Sequence, residues 1–138
     1  MNKAIEEFSK KYDNKVISIL GTDYIIKLCS DKEDERLKEC YGYCNKHENI
    51  IVITNEGKDY AGKTVTYIKN SIKRTIRHEL IHAFLDESGL LGNAITFKGP
   101  WPFNEEMVDW FALQSPKIFK LYQELDLLNI TSQTKKEK

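Results

Sequence analysis

The apolar residues of this chain change their spacing near residue 64, and that break limits what the chain can fold into. Before it lie short β-branched and aromatic runs bounded by polar turns, at Val16–Leu20, Tyr24–Cys29 and Asn49–Thr54, with 38–44 as a fourth of the same kind. Such runs read as strands. From about Thr64 the apolar positions fall instead at Ile68, Ile72, Thr75/Ile76, Glu79/Leu80 and Ala83/Phe84. These are the i, i+3, i+4 intervals of one long helix, with Gly89 suited to end it as the first residue past its cap. Residues 2–11 predict an opening helix capped by Asn2, with Ile5 and Phe8 turned inward. The stretch 90–103, rich in Gly, Pro and aromatics, predicts an irregular loop. A further helix begins near Asn104, where Glu105 and Glu106 suit the positive end of the helix dipole. Ser115-Pro116, a cap followed by a first-turn proline, predicts the start of a last helix running to about Leu128. The sum is an α+β domain over 1–130. It has a small three- to four-stranded sheet, antiparallel or mixed, packed on the long helix, then a Glu-bearing helix and a C-terminal helix. The tail 131–138 has nothing to bury and reads as disordered.

At 138 residues the chain suits a single core. Lys+Arg and Asp+Glu each total 21, so the formal net charge is zero. That balance excludes a broad basic surface for nucleic acid. No apolar run approaches the roughly 20 residues that span a bilayer. The N-terminus, MNKAIEEFSKKY, lacks the basic start and apolar stretch of a signal peptide. Cys29, Cys40 and Cys44 are an odd number without scaffold-like density, which fits reduced thiols. The expectation is a cytoplasmic protein with neither nucleic acid nor membrane as partner.

Inside the long helix lies His78-Glu79-Leu80-Ile81-His82, an HExxH motif. Residues four apart share a helix face, with Cβ atoms about 5–6 Å apart. Two imidazoles so placed converge on one Zn²⁺ at Zn–N distances of about 2.0–2.1 Å. Glu79 is about 100° around the helix from His78, beside the metal and not on it, where it can take a proton from an activated water. The bland reading is two histidines on an exposed face, with Glu79 paired to Arg74 or Arg77.

A third ligand decides between these readings. A metzincin would need Gly at 85 and His or Asp at 88, where this chain has Leu85 and Ser88, and no histidine follows His82. The ligand must therefore be a carboxylate from another helix. Glu105 and Asp109 lie one turn apart on one face of the segment that starts near Asn104. Glu105 then completes a site of two His and one Glu, with one position left open, and Asp109 accepts the other N–H of a ligating histidine.

HExxH followed by ExxxD on a later helix is the gluzincin arrangement. The run Glu105-Glu106-Met107-Val108-Asp109-Trp110-Phe111-Ala112 resembles the ExxA(N/D)xFA segment of ImmA/IrrE-type metallopeptidases. The resemblance covers roughly residues 48–113 and is specific at the metal ligands. It implies a minimal zincin-like fold, His78, His82 and Glu105 as ligands of one Zn²⁺ per chain, and Glu79 as general base. Val108 stands where that family usually has Ala. Some members, encoded by phages and mobile elements, act on a repressor. The chain shows no helix-turn-helix and no sensor domain, so any regulatory wiring implied by the resemblance lies in a partner protein.

The function expected is a zinc metallopeptidase acting on a protein or peptide substrate, held against an edge strand taken to be Asn49–Thr54. The alternative is a catalytically inert, zinc-stabilised binding module. A third reading is a scaffold with no metal. Mn²⁺, Co²⁺ or Fe²⁺ could replace zinc in such a donor set. The oxyanion donor stays unassigned among Tyr60, Tyr67 and Tyr122. Cys40 and Cys44 read as small core residues, His47 as solvated, and Trp110 and Phe111 as core. Trp101, with Phe97 and Phe103, either lines the pocket or plugs the loop onto the core.

Overall fold

The computed structural model describes residues 2–88 and 104–127. The loop 90–103 with its aromatics, Gly89 and the tail lie outside these residues. Helix α1 (Lys3–Lys10) begins where Asn2 accepts the amide of Ala4 at 2.8 Å, and Ile5 faces the core as its spacing predicts. Four strands follow: β1 (Lys15–Ile19), β2 (Thr22–Ser30), β3 (Gly42–Asn45) and β4 (Ile50–Glu56). They form one mixed sheet in the order β1-β2-β4-β3. The outer pairs are antiparallel, and β2 runs parallel to β4 with Ile26 opposite Ile51. The segment 38–44 is a strand only from Gly42 onward. Residues Glu35–Lys38 instead form a 3-10 turn capped by Asp34.

The order of strands corrects one expectation. Asn49–Thr54 is not the edge, because β4 is bonded on both sides, and its Ile51–Asn55 are all buried. A strand covered on both faces loses the alternation that marks a half-exposed one. The edge on that side of the sheet is β3. Gly42 lets it sit close. A Cβ there would lie 2.8 Å from the Val52 carbonyl oxygen and 2.9 Å from Thr75 Cγ2 on the neighbouring helix.

That helix, α2 (Val65–Glu87), is capped by Thr64, whose hydroxyl accepts the Tyr67 amide at 3.1 Å. It touches β1, β3 and β4 and is packed by α1 and by α3 (Glu105–Glu124). Its buried positions are Ile68, Ile72, Ile76, Glu79, Ala83 and Asp86, spaced by fours and threes along one seam. The isoleucines join Ile5, Tyr24, Ile26, Leu28, Ile51 and Ile53 in the main core. Two members of the seam are acids. At the far end, Glu87 is tied to the sheet by Tyr24 Oη at 2.6 Å and Thr22 Oγ1 at 2.9 Å. No helix among the described residues is long and apolar enough to cross a membrane.

Ser115-Pro116 does not open a new helix. Helix α3 runs unbroken through Pro116. A proline inside a helix orphans the carbonyl four residues back, here that of Ala112. Arg77 Nε on α2 donates to this oxygen at 2.7 Å, replacing the missing intrahelical bond from a neighbouring helix. Loss of that donor leaves the carbonyl unsatisfied, a cost of about 1–3 kcal/mol. Arg77→Ala is thus expected to destabilise the fold by that amount. In a Pro116→Ala background the restored amide can bond Ala112, and the penalty should shrink by about 1 kcal/mol. Urea midpoints of the four proteins in this cycle test the coupling, and strictly additive costs would refute it.

Trp110 and Phe111 are also not core. Both are exposed, while Val108 and Ala112, four apart, are the fully buried residues among the described side chains of α3. The narrow apolar face of α3 takes the small residues because the helices approach closely, and the aromatics lie off it.

Candidate metal centre

Three donors converge between α2 and the start of α3. Asn104 caps α3, its Oδ1 accepting the Met107 amide at 3.0 Å, which makes Glu105 the first helical residue. Helix N-termini favour carboxylates. Glu105 reaches across to α2 with Oε2 2.9 Å from His78 Nε2 and Oε1 3.1 Å from His82 Nε2. His78, His82 and Glu105 each offer one ligand atom, and these atoms lie within 4.8 Å of one another. Two imidazoles and one carboxylate are donors of the types zinc takes, so the set fits zinc in its chemistry.

Asp109, one turn after Glu105, faces the other side of His78, with Oδ1 3.6 Å from Nδ1. A guanidinium occupies it as well. Arg74 grips both Asp109 oxygens at 2.8 and 2.9 Å. Such bidentate pairs fix orientation more firmly than single bonds. Neither arginine is paired with Glu79. Arg74 goes to Asp109 and Arg77 to the α3 backbone, so together they set the register of α3, and with it Glu105, against α2.

Glu79 is 6% exposed, with Oε1 3.9 Å from His78 Nε2. Burial, reinforced by the nearby Glu105 carboxylate, pushes its pKa up to about 8. The metal-free fold therefore prefers Glu79 protonated. This contribution to stability is complete below about 4.5, the pKa of an exposed Glu, and is lost as pH rises through about 8. In chelator, thermal midpoints of the wild type should accordingly fall between pH 5 and pH 8.5, with a shallower fall in Glu79→Gln. Equal slopes would contradict the assignment.

The donors open into a cleft of about 680 Å³ between α2 and the edge strand β3. Its walls include Tyr41, Tyr43 and Cys44 from the strand side and Tyr67, Arg74 and Asp86 from α2. Cys40 and Cys44 both border the cleft, but Cys44 is half-buried and packs against the core as expected, whereas Cys40 is exposed. The Cys40 thiol donates to the Arg36 carbonyl at 3.3 Å, and burial pushes the Cys44 thiol up to about 12. Neither belongs to a metal-holding group among the described residues. Tyr60 is buried with its hydroxyl 3.0 Å from Ser71 Oγ and does not line the cleft, whereas Tyr67 does. The side chain of Tyr122 lies outside the described atoms.

Sequence reasoning missed Arg74 as the partner of Asp109, β3 as the edge, and Asp86 as a buried acid. Only Asp86 carried a signal, since it continues the seam of Ile72, Ile76, Glu79 and Ala83. Searches against protein-family models, curated proteins and solved structures find no match for the chain.

Proposed function

We propose that the chain is a zinc-dependent metallopeptidase with a minimal zincin-like fold, acting on an extended segment of a protein or peptide. The observation that carries this reading is the convergence of His78, His82 and Glu105 beside a buried Glu79, on the wall of a cleft edged by a strand. The likeness of residues 105–112 to ImmA/IrrE-type metallopeptidases supports it, and that likeness is also the ground for a regulatory protein partner.

Zinc, when bound, would polarise the scissile carbonyl and acidify a water. The chain's own groups do the rest. His78 and His82 present Nε2 to the site, and Asp109, 3.6 Å from the far nitrogen of His78, favours the tautomer protonated there. Glu79, whose high pKa in the metal-free state a nearby cation would lower toward neutrality, accepts the proton of the attacking water. It then delivers that proton to the leaving amine. As the outer strand of the sheet among the described residues, β3 can align an extended segment by strand addition, a role the sequence reading had assigned to Asn49–Thr54.

Elemental analysis of the purified wild type should find about one zinc per chain. Digestion of a denatured protein mixture should stop on chelation and return with zinc. No metal after zinc addition would overturn the reading. Zinc without hydrolysis would leave a zinc-stabilised binding module.

A further inference from the structure

The seam of α2 buries two acids, and catalysis uses only Glu79. The other, Asp86, sits two turns further on, is 8% exposed, and opens onto the same cleft beside Cys44 of β3. No hydrogen bond or ion pair joins its carboxylate to another described residue. The neighbouring Glu87 and His82 are already committed. Glu87 is held by Tyr24 and Thr22, while His82 faces Glu105 through Nε2. His82 and Lys46 attract the charge, but burial dominates and pushes the Asp86 pKa up.

A carboxylate this far withdrawn from water, with no partner among the described residues, is costly to a fold. An apolar residue would suit that seam position better, as Ala83 does one turn earlier. Costly groups that open into clefts belong to function more often than to stability. The chemistry that would satisfy Asp86 is a cation carrying hydrogen-bond donors, small enough to enter from the cleft. It does not belong to the metal cluster, which comprises His78, His82 and Glu105.

We propose that Asp86 is a specificity residue that binds a lysine or arginine side chain of the peptide lying in the cleft. This rests on the reading of the cleft as a peptide site. The side chain would enter on the side of the metal toward the C-terminal end of α2. Arg74 and Tyr67 line the opposite end, where Arg74 is already paired with Asp109.

The test separates this assignment from hydrolysis itself. Zinc-loaded Glu79→Gln protein, which should bind without cutting, is mixed with a randomised synthetic peptide library, and the captured peptides are sequenced. Lys and Arg should be enriched at one position by roughly tenfold, the scale of one charge-assisted hydrogen bond. In Glu79→Gln/Asp86→Asn the enrichment should vanish with zinc content unchanged. Asn is isosteric and removes a buried charge, so the thermal midpoint should hold or rise, which shows that the fold is retained. Capture with no basic preference, a preference that survives Asp86→Asn, no capture at all, or zinc lost on Asp86→Asn would each overturn the proposal. Wild type that captures basic peptides through Asp86 but never cuts the library would uphold this assignment while removing the peptidase.

Discussion

Glu79→Gln is expected to abolish hydrolysis, by about 10²–10⁴-fold, while leaving zinc bound at the wild-type ratio. Glutamine keeps the shape of glutamate and cannot accept a proton. The metal-free fold already favours the neutral acid at this position, since burial raises Glu79 to about 8. The substitution therefore fills the buried site with a neutral group of the same size, and the protein should fold at least as well. Glu79 is not one of the three converging donors, so zinc content isolates its role from theirs. Turnover of a denatured protein mixture, measured beside elemental analysis on the same sample, gives both readings. Hydrolysis within a few-fold of wild type would show that another group moves the proton.

Glu105→Ala should have the opposite signature, with zinc lost and the fold kept. The Glu105 side chain is 68% exposed at the start of α3, so its removal opens no cavity. The cap at Asn104 and the arginine grips at Asp109 and Ala112 all remain. Changes to residues that merely support a ligand cost about 10–100-fold in metal affinity, and loss of the only carboxylate donor should exceed that. Competition with a chromophoric chelator measures the affinity. Glu106→Ala, one residue along, is the control and should match wild type. Equal affinities for Glu105→Ala and wild type would mean that the two histidines hold no ion through this carboxylate.

How far the site was legible in the sequence depends on which contacts are local. HExxH could be read because both histidines and Glu79 belong to one helix, where spacing alone sets the face each occupies. The Asn2 cap was legible for the same reason, and the helix starts near Thr64 and Asn104 could be placed although their capping roles were not read; all three act within three residues of themselves. Glu105 could be reached by exclusion, because the helix lacked a third ligand of its own. Its actual approach to within 2.9 Å of His78 depends on how two helices pack, which no local pattern encodes.

Pro116 shows the limit most clearly. Local rules start a helix at Ser115-Pro116, yet Arg77, distant in sequence, supplies the missing hydrogen bond, and α3 continues. The aromatics at 110 and 111 were misjudged on similar grounds. Size suggested burial, while among the described side chains of α3 it is Val108 and Ala112 that are buried. The strand runs were recognisable, but which of them forms the edge was not. Asn49–Thr54 is a strong strand whichever neighbours it has, and β3 is a short one whose place follows from Gly42 fitting against Thr75.

By itself, then, the sequence determined most of the elements, the α+β class and the pair of histidines with their acid, because periodicity and caps act over one or two helical turns. Tertiary structure alone decided which strand borders the cleft, which arginine holds Asp109, why α3 survives its proline, and that Asp86 is a buried acid opening into the cleft. Those outcomes are set by contacts between residues far apart in the chain, and their energies depend on desolvation and on partners that spacing does not specify.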